Sequence, residues 1–370
     1  MLELAIARSS SSLRSFLFEF EVYVMDARFI TTMKRQDIQK RVGHMDQVAG
    51  IKQLEAGDGR ARGTRLFHVW TGSGLTFDVV ADRALDISAC RYKGLSLAWA
   101  SSVGEVHPAF YEANGLGWLR SFSGGMMTTC GLDHWGPPSI DQGQEFGLHG
   151  RISNLPANYV SYNAGWNGNA YEIEIKGEVR QTAVFGENLT LRRRITTHLG
   201  SNAIHIADVV TNEGFSPQPH MILYHFNLGF PLLSENTRLH IDAEKTVPRD
   251  SVAESGLADW MRFQPPTPGY QEQVFLHSPK VDNDNRSRVE VWNPDINLGV
   301  RLIYDATHLP HLMEWKMMGE GMYVLGIEPI SCGEFHGRGA ARERCILPFL
   351  EPGESRRYEL ILEVVETASN

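Results

Sequence analysis

The sequence predicts an all-β protein, a large antiparallel sandwich with few and short helices. Three observations carry this reading. Short apolar stretches alternate inward and outward residues at period two, as half-buried strands do. Glycine- and proline-containing turns punctuate them. Only one window, Met33–Val42, has the composition and the closing glycine of a helix. In chain order, Arg65–Trp70 and Leu75–Val80 flank Thr71-Gly72-Ser73-Gly74, a hairpin signal. Tyr171–Val179 alternates strictly, with Tyr171, Ile173 and Ile175 on one face and Glu172, Glu174 and Lys176 on the other. Leu189–Leu199, Ile204–Thr211, Val289–Trp292, Val300–Tyr304 and Tyr323–Ile327 continue the pattern. Arg357–Val365 closes it, after the turn Glu351-Pro352-Gly353-Glu354. Runs of strands without alternating helices argue for a sandwich rather than a wound α/β fold.

At 370 residues the chain can bury a large core, and no Gly/Pro linker divides it. One domain is expected over 34–370. Residues 1–33 are expected to be an extension outside the fold, since Ala7–Phe20 mixes Arg, Ser and a short apolar patch without a consistent face. Leu95–Gly117 and Glu244–Tyr270 read as long loops of the kind that cover a site. A net charge of −9 excludes a nucleic-acid partner, which needs a basic face. No apolar run approaches the ~20 residues that span a bilayer. Four scattered cysteines (Cys90, Cys130, Cys332, Cys345) fit reduced thiols and a cytoplasmic location. The phosphate-loop, zincin, serine-hydrolase and dinucleotide motifs are all missing.

Chemistry concentrates in four places. Met221–Leu232 is an apolar strand interrupted by His225 and Asn227, which share a face while Tyr224 and Phe226 take the other. Burying such a polar pair without partners is unfavourable, so a proton-transfer role facing a ligand competes with a satisfied core histidine. His149 stands in a glycine-flanked turn, where backbone can approach a ligand closely. Trp118–Trp135 holds Arg120, Gly124-Gly125, Asp133, His134 and Trp135. Met313–Arg338 holds Glu314, Trp315, Lys316, Glu328, Glu334 and His336. Glu328, between Ile327 and Pro329 at the end of an apolar strand, is poorly placed for idle solvation. Arg120 reads equally as a structural ion pair, and His134 and His336 as loop histidines.

Taken together these motifs resemble the aldose 1-epimerase (galactose mutarotase-like) superfamily, in its divergent bacterial branch. The matching residues are His149-Gly150, then Thr211-Asn-Glu-Gly-Phe-Ser-Pro217 leading to His225-Phe226-Asn227-Leu228, then Leu325-Gly326-Ile327-Glu328-Pro329, in family order. The resemblance implies a β-supersandwich whose concave face binds one sugar, with no cofactor and no metal. It implies Glu328 as base toward the anomeric hydroxyl, His225 as acid toward the ring oxygen, and His149 as an orienting donor. Arg120, Asn227, Trp315, Trp135 and Asp305 are the further candidates for holding the sugar. His225 and Glu328 are expected to bracket a sugar ring, roughly 5–8 Å apart. The histidine stands differently relative to the asparagine than in the usual family motif. A surplus of Glu145, His149, His225, Glu328 and His336 leaves a metal-dependent sugar isomerase open. A non-catalytic carbohydrate-binding protein on the same sandwich is the other alternative. A monomer or homodimer is expected.

Overall fold

The computed structural model describes residue 30 and residues 32–367, so the expected extension over 1–33 lies almost wholly outside the described residues. Strands dominate, in two large antiparallel sheets. The larger has eleven strands. It runs in space from Gly50–Glu55 through Arg65–Trp70, Leu75–Val80, Asp86–Tyr92 and Met127–Cys130 to Leu223–Gly229. It continues through Met322–Ile330, His311–Gly319 and Gln273–Pro279 to Ala243–Pro248. The smaller has eight, including Ala170–Thr182, Asn188–His198, Ala203–Asn212, Leu298–Asp305 and Ser355–Val365. Two large antiparallel sheets packed on one apolar core make the β-supersandwich that the resemblance implied.

The predicted alternation is what joins the sheets. Ile173 and Ile175, Leu191 and Ile195, Ile206 and Val210, and Leu360 and Leu362 project inward from the smaller sheet. They meet Phe67, Phe77, Ile87, Tyr224, Phe226 and Ile327 from the larger one in a single apolar core. Within that core lies one buried ionic group. Arg193 bonds Asp208 at 2.6 Å, Asp86 at 2.8 Å and Thr129 at 2.9 Å, and Tyr224 donates to Asp208 at 2.8 Å. Asp86, Thr129 and Tyr224 come from the larger sheet and Arg193 and Asp208 from the smaller, so the group ties the two together.

Leu223–Gly229 is buried along its whole length, on both faces. One face meets the other sheet. The opposite face, which carries His225, is covered by a second apolar cluster of Trp118, Phe122, Cys130, Trp135, Met313 and Ile330. The sheet is thus not bare where the polar residues stand.

Some elements differ from expectation. The single predicted helix shrinks to Arg35–Gln39. The loop expected over Glu244–Tyr270 contains the edge strand Ala243–Pro248 and a helix, Ser251–Ser255, capped by Asp250 accepting from Ala253 N. His311–Gly319 is an unpredicted strand. Glu314 and Lys316 obscured its alternation, yet both are buried, Glu314 against His277 at 3.1 Å and Lys316 on the carbonyls of Asp259 and Arg262.

Candidate active site

Strand register brings the sequence's two outliers together. Leu223 pairs with Ile330 and Phe226 with Ile327, which sets His225 opposite Glu328 on the same face. On either side, His225 pairs with Thr128, and Glu328 with Met313. The His225 Nε2–Glu328 Oε1 distance is 3.2 Å, with both side chains buried. The expected separation of roughly 5–8 Å is therefore corrected. Two residues directly across an antiparallel ladder have Cβ atoms only about 5 Å apart, so side chains leaning together must touch.

Gly326 makes room for this contact. A Cβ there would stand 2.6 Å from Glu328 Oε1, 3.0 Å from the Trp315 Cβ and 3.2 Å from the His225 ring. Gly150, at φ 73°, plays the matching part in the loop, since a Cβ would fall 2.4 Å from His134 O and 2.5 Å from Gly131 O. His149, itself left-handed at φ 58°, is thereby turned edge-on to His225, with ring centroids 5.7 Å apart.

Aromatic rings wall the pair. Trp315 meets His225 edge-on at 5.5 Å, and Phe122 lies at 5.5 Å from the same ring. Trp118 packs on His149 at 4.7 Å and on Phe122 at 4.4 Å. Trp99 closes the ring of contacts against Trp315 and Phe122. Asn227 donates to the carbonyls of Gly125 and His225, both at 3.0 Å, and so pins the strand to the glycine turn.

Burial sets the protonation. It pushes the Glu328 carboxyl well above the usual carboxylate range, and the negative charge of Glu272 adds to the shift. It pushes the His225 ring down to about 3, against a smaller opposing effect of the Asn227 side chain. His149 is held well below its ordinary value by burial, then by the neighbouring His225 and His134. The His225–Glu328 contact is short enough for an ion pair but misaligned for a hydrogen bond. Glu328 Oε1, His225 Nδ1 and Asn227 Oδ1 are left without hydrogen-bond partners in the protein. Buried polar atoms left this way are costly unless something else satisfies them. The Glu328 and His225 atoms can exchange a proton with a polar ligand, and Asn227 Oδ1 can accept a hydrogen bond from one.

Not every candidate stands here. Trp135 is buried in the apolar layer beneath the loops rather than stacked beside His225. Arg120 is exposed, 3.4 Å from Glu112, on an open cavity of about 580 Å³ shared with Arg60 and Asn114. Asp305 lies in the smaller sheet opposite Arg286 and accepts from Thr307 N, closing a turn. Glu334 is committed to the backbone of Phe335 and His336 and to Arg344. Conversely, Trp99, Phe122 and the Arg249–Glu272 pair that holds Trp315 escaped the sequence reading. Trp99 sits in a stretch read as a covering loop, and Phe122 in one read for Arg120, its glycine turn, Asp133 and His134. Glu272 carries no local signal. Among the described residues no group of three or more His, Cys, Asp or Glu side chains could hold a metal ion. No helix among them is long and apolar enough to cross a membrane.

The crystal structure of a "putative aldose 1-epimerase" from Klebsiella pneumoniae subsp. pneumoniae is similar at 30% identity and a TM-score of 0.82, covering 87% of this chain and 86% of that one. A galactose mutarotase-like protein from Clostridium acetobutylicum shares 14% identity over 86% of this chain and 99% of its own, at a TM-score of 0.61. A galactose 1-epimerase from Lactobacillus acidophilus shares 12% over 86% and 100%, at 0.55. The latter two speak for the fold alone. No curated protein matches the sequence significantly. Fold and relatives together define a member of the aldose 1-epimerase (galactose mutarotase-like) superfamily. Within it, the chain belongs to the family described as Domain of unknown function (DUF4432), whose model matches residues 61–364.

Proposed function

We propose that the protein is a cofactor-free sugar epimerase of the aldose 1-epimerase type, in which His225 and Glu328 open and reclose the sugar ring. The observation that carries this reading is the buried pair itself: two proton-transfer groups 3.2 Å apart, with free acceptor atoms, walled by aromatic rings. Ring opening removes a proton from the anomeric hydroxyl and delivers one to the ring oxygen. Both oxygens are bonded to the same carbon, so the groups that serve them must lie side by side, as these do. Trp315 and Phe122 offer apolar faces to the C–H surface of a sugar, and His149 a ring nitrogen for a hydroxyl.

Between them His225 and Glu328 hold one proton. Burial favours the tautomer with the proton on Glu328 and a neutral imidazole. In that form the carboxyl protonates the ring oxygen while His225 takes the hydroxyl proton. With the proton on His225 the same cycle runs with roles exchanged, Glu328 as base and His225 as acid. Either way the substrate's gain and loss balance, and the pair returns to its starting charge. Each group is expected to contribute on the order of 10²–10⁴-fold.

The test is anomer exchange, measured by saturation-transfer NMR across a panel of free aldoses in chelator-containing buffer. Exchange above the buffer rate, unaffected by the chelator, is expected for at least one sugar. Binding without exchange would replace this reading with that of a carbohydrate-binding protein. Exchange abolished by the chelator would replace it with a metal-dependent isomerase.

A further inference from the structure

Beside the His225–Glu328 pair stands a charge arrangement that proton transfer does not require. The Trp315 indole N–H donates to Glu272 Oε2 at 2.9 Å. The other oxygen of Glu272 accepts from Arg249 at 2.9 Å, and Arg249 also bonds Asp250 at 2.8 Å. These residues sit where the outermost strands end, Arg249 just after Ala243–Pro248 and Glu272 just before Gln273–Pro279. Two of the guanidinium's nitrogens, Nε and Nη1, are taken by the carboxylates of Asp250 and Glu272, so its charge is already engaged. Two carboxylates against one guanidinium leave the arrangement net negative.

Resting on the epimerase reading of the same pocket, we propose that Glu272 is its positioning and selectivity residue. Clamped by Arg249, it fixes the indole of Trp315 against His225 and restricts the pocket to uncharged sugars, excluding uronates and sugar phosphates. The wall that Trp315 provides is then not a free rotamer, because its N–H is tied to a carboxylate that is tied to an arginine. The charge also reaches the floor of the pocket, since Glu272 is the one charged side chain that adds to burial in disfavouring ionised Glu328. The other groups facing Glu328 are His225 at 3.2 Å and, on the paired strands, Thr128, Cys130 and His311; His149 lies behind His225. None of these supplies a fixed positive charge: burial lowers the His149, His225 and His311 rings, helped at His149 by the neighbouring His225 and His134. Glu314 and Lys316 project from the opposite face of their strand. An anionic ligand would thus meet the Glu272 carboxylate with no fixed positive charge beside His225 and Glu328 to offset it.

Two readouts test this in the intact protein. The first is the ratio of dissociation constants for a free aldohexose and the matching hexuronate, in wild type and in Glu272→Gln. The glutamine keeps an acceptor for the indole but removes the charge. Wild type is expected to favour the neutral sugar by about 10-fold or more, and Glu272→Gln to narrow that ratio by roughly 3-fold or more at low salt. The second needs no sugar and no turnover. The infrared carboxylic band of Glu328, identified by its loss in Glu328→Gln, is titrated in both proteins. Removing the Glu272 charge makes the Glu328 proton easier to lose, so its midpoint should fall by roughly half a pH unit. An unmoved midpoint, or a wild type that prefers the uronate, would overturn the proposal. A shifted midpoint in a protein that exchanges no sugar would leave it standing and remove the epimerase reading instead. Continued exchange with both readouts unmoved would remove this proposal alone.

Discussion

Glu328 is the residue on which stability and chemistry pull in opposite directions. Its carboxyl is buried and its proton affinity raised. The folded state binds that proton more tightly than the unfolded chain, so the group's stabilising contribution is present below its ordinary value and lost as pH rises through the raised one. Glu328→Gln has no proton to lose. Its melting temperature is expected to exceed that of wild type at pH 8, with the gap closing toward pH 5. A variant less stable than wild type at pH 8 would contradict the burial argument. Trp315→Ala acts differently. It removes a wall of the pocket without touching a proton, so it should weaken sugar binding through lost stacking while a bound sugar still exchanges. A lowered exchange rate at saturating sugar would show that Trp315 does more than bind. His225 and Glu328 were legible in the sequence because each breaks an apolar pattern, and a polar residue in a strand buried on both faces needs a reason. Glu272 was not legible. An exposed carboxylate just before a strand looks like any solvated one, and only the fold brings it to Trp315.

At the scale of the strand, Gly326 is what lets two facing residues lean together. Gly326→Ala puts a methyl group 2.6 Å from Glu328 Oε1 by the undisturbed geometry, so Glu328 must swing away from His225. The strand keeps its ladder, because alanine is tolerated there by the backbone. Exchange is expected to fall by about 10-fold or more, in keeping with the penalty for misplacing a catalytic group by around an ångström. Far-ultraviolet circular dichroism should stay unchanged. Wild-type exchange in the Gly326→Ala variant would show that the close contact is dispensable. The strands that alternate cleanly were legible from their sequences, often to within a residue or two: Arg65–Trp70 and Leu75–Val80 form as read. The central strands were harder. Met127–Cys130 is only four residues long and buried on both faces, so it has no alternation to read. Asp305, a sequence candidate for holding the sugar, ends a well-formed strand of the other sheet. Period two assigns a face and not a sheet, and the larger sheet takes its strands out of chain order.

Across the whole molecule, two features govern stability, and the active strand takes part in both. Arg193 bridges Asp208 and Asp86 between the sheets, and Tyr224, the neighbour of His225, bonds the same Asp208. Arg193→Met leaves two buried carboxylates without their cation, and a loss of about 3–5 kcal/mol is expected in chemical denaturation. A loss below about 1 kcal/mol would mean that water reaches the site. The second feature is a set of buried neutral histidines. His134 is lowered to about 4, and His220 and His225 to about 3, with burial the leading cause in each. A base lowered on folding contributes stability that is full above its unfolded value and is lost as pH falls. Each ring therefore costs about 1.4 kcal/mol per pH unit below the unfolded value, until its own folded value is reached. Stability should decline steeply from about pH 6.5 toward pH 4, and His220→Gln should flatten part of that slope. A profile flat across this range would contradict the assignment of neutral buried rings.

The central claim is that His225 and Glu328 act as one proton-transfer pair on a sugar. It is tested most directly by the anomeric exchange rate at saturating sugar in wild type, Glu328→Gln, His225→Asn and the double variant. Each single substitution removes one end of the same transfer, so each is expected to lower the rate on the order of 10²-fold or more, with a modest change in sugar affinity. The double variant should lose far less than the product of the two, because the second substitution has little left to remove. An unimpaired rate in Glu328→Gln, or losses that simply multiply, would contradict the account.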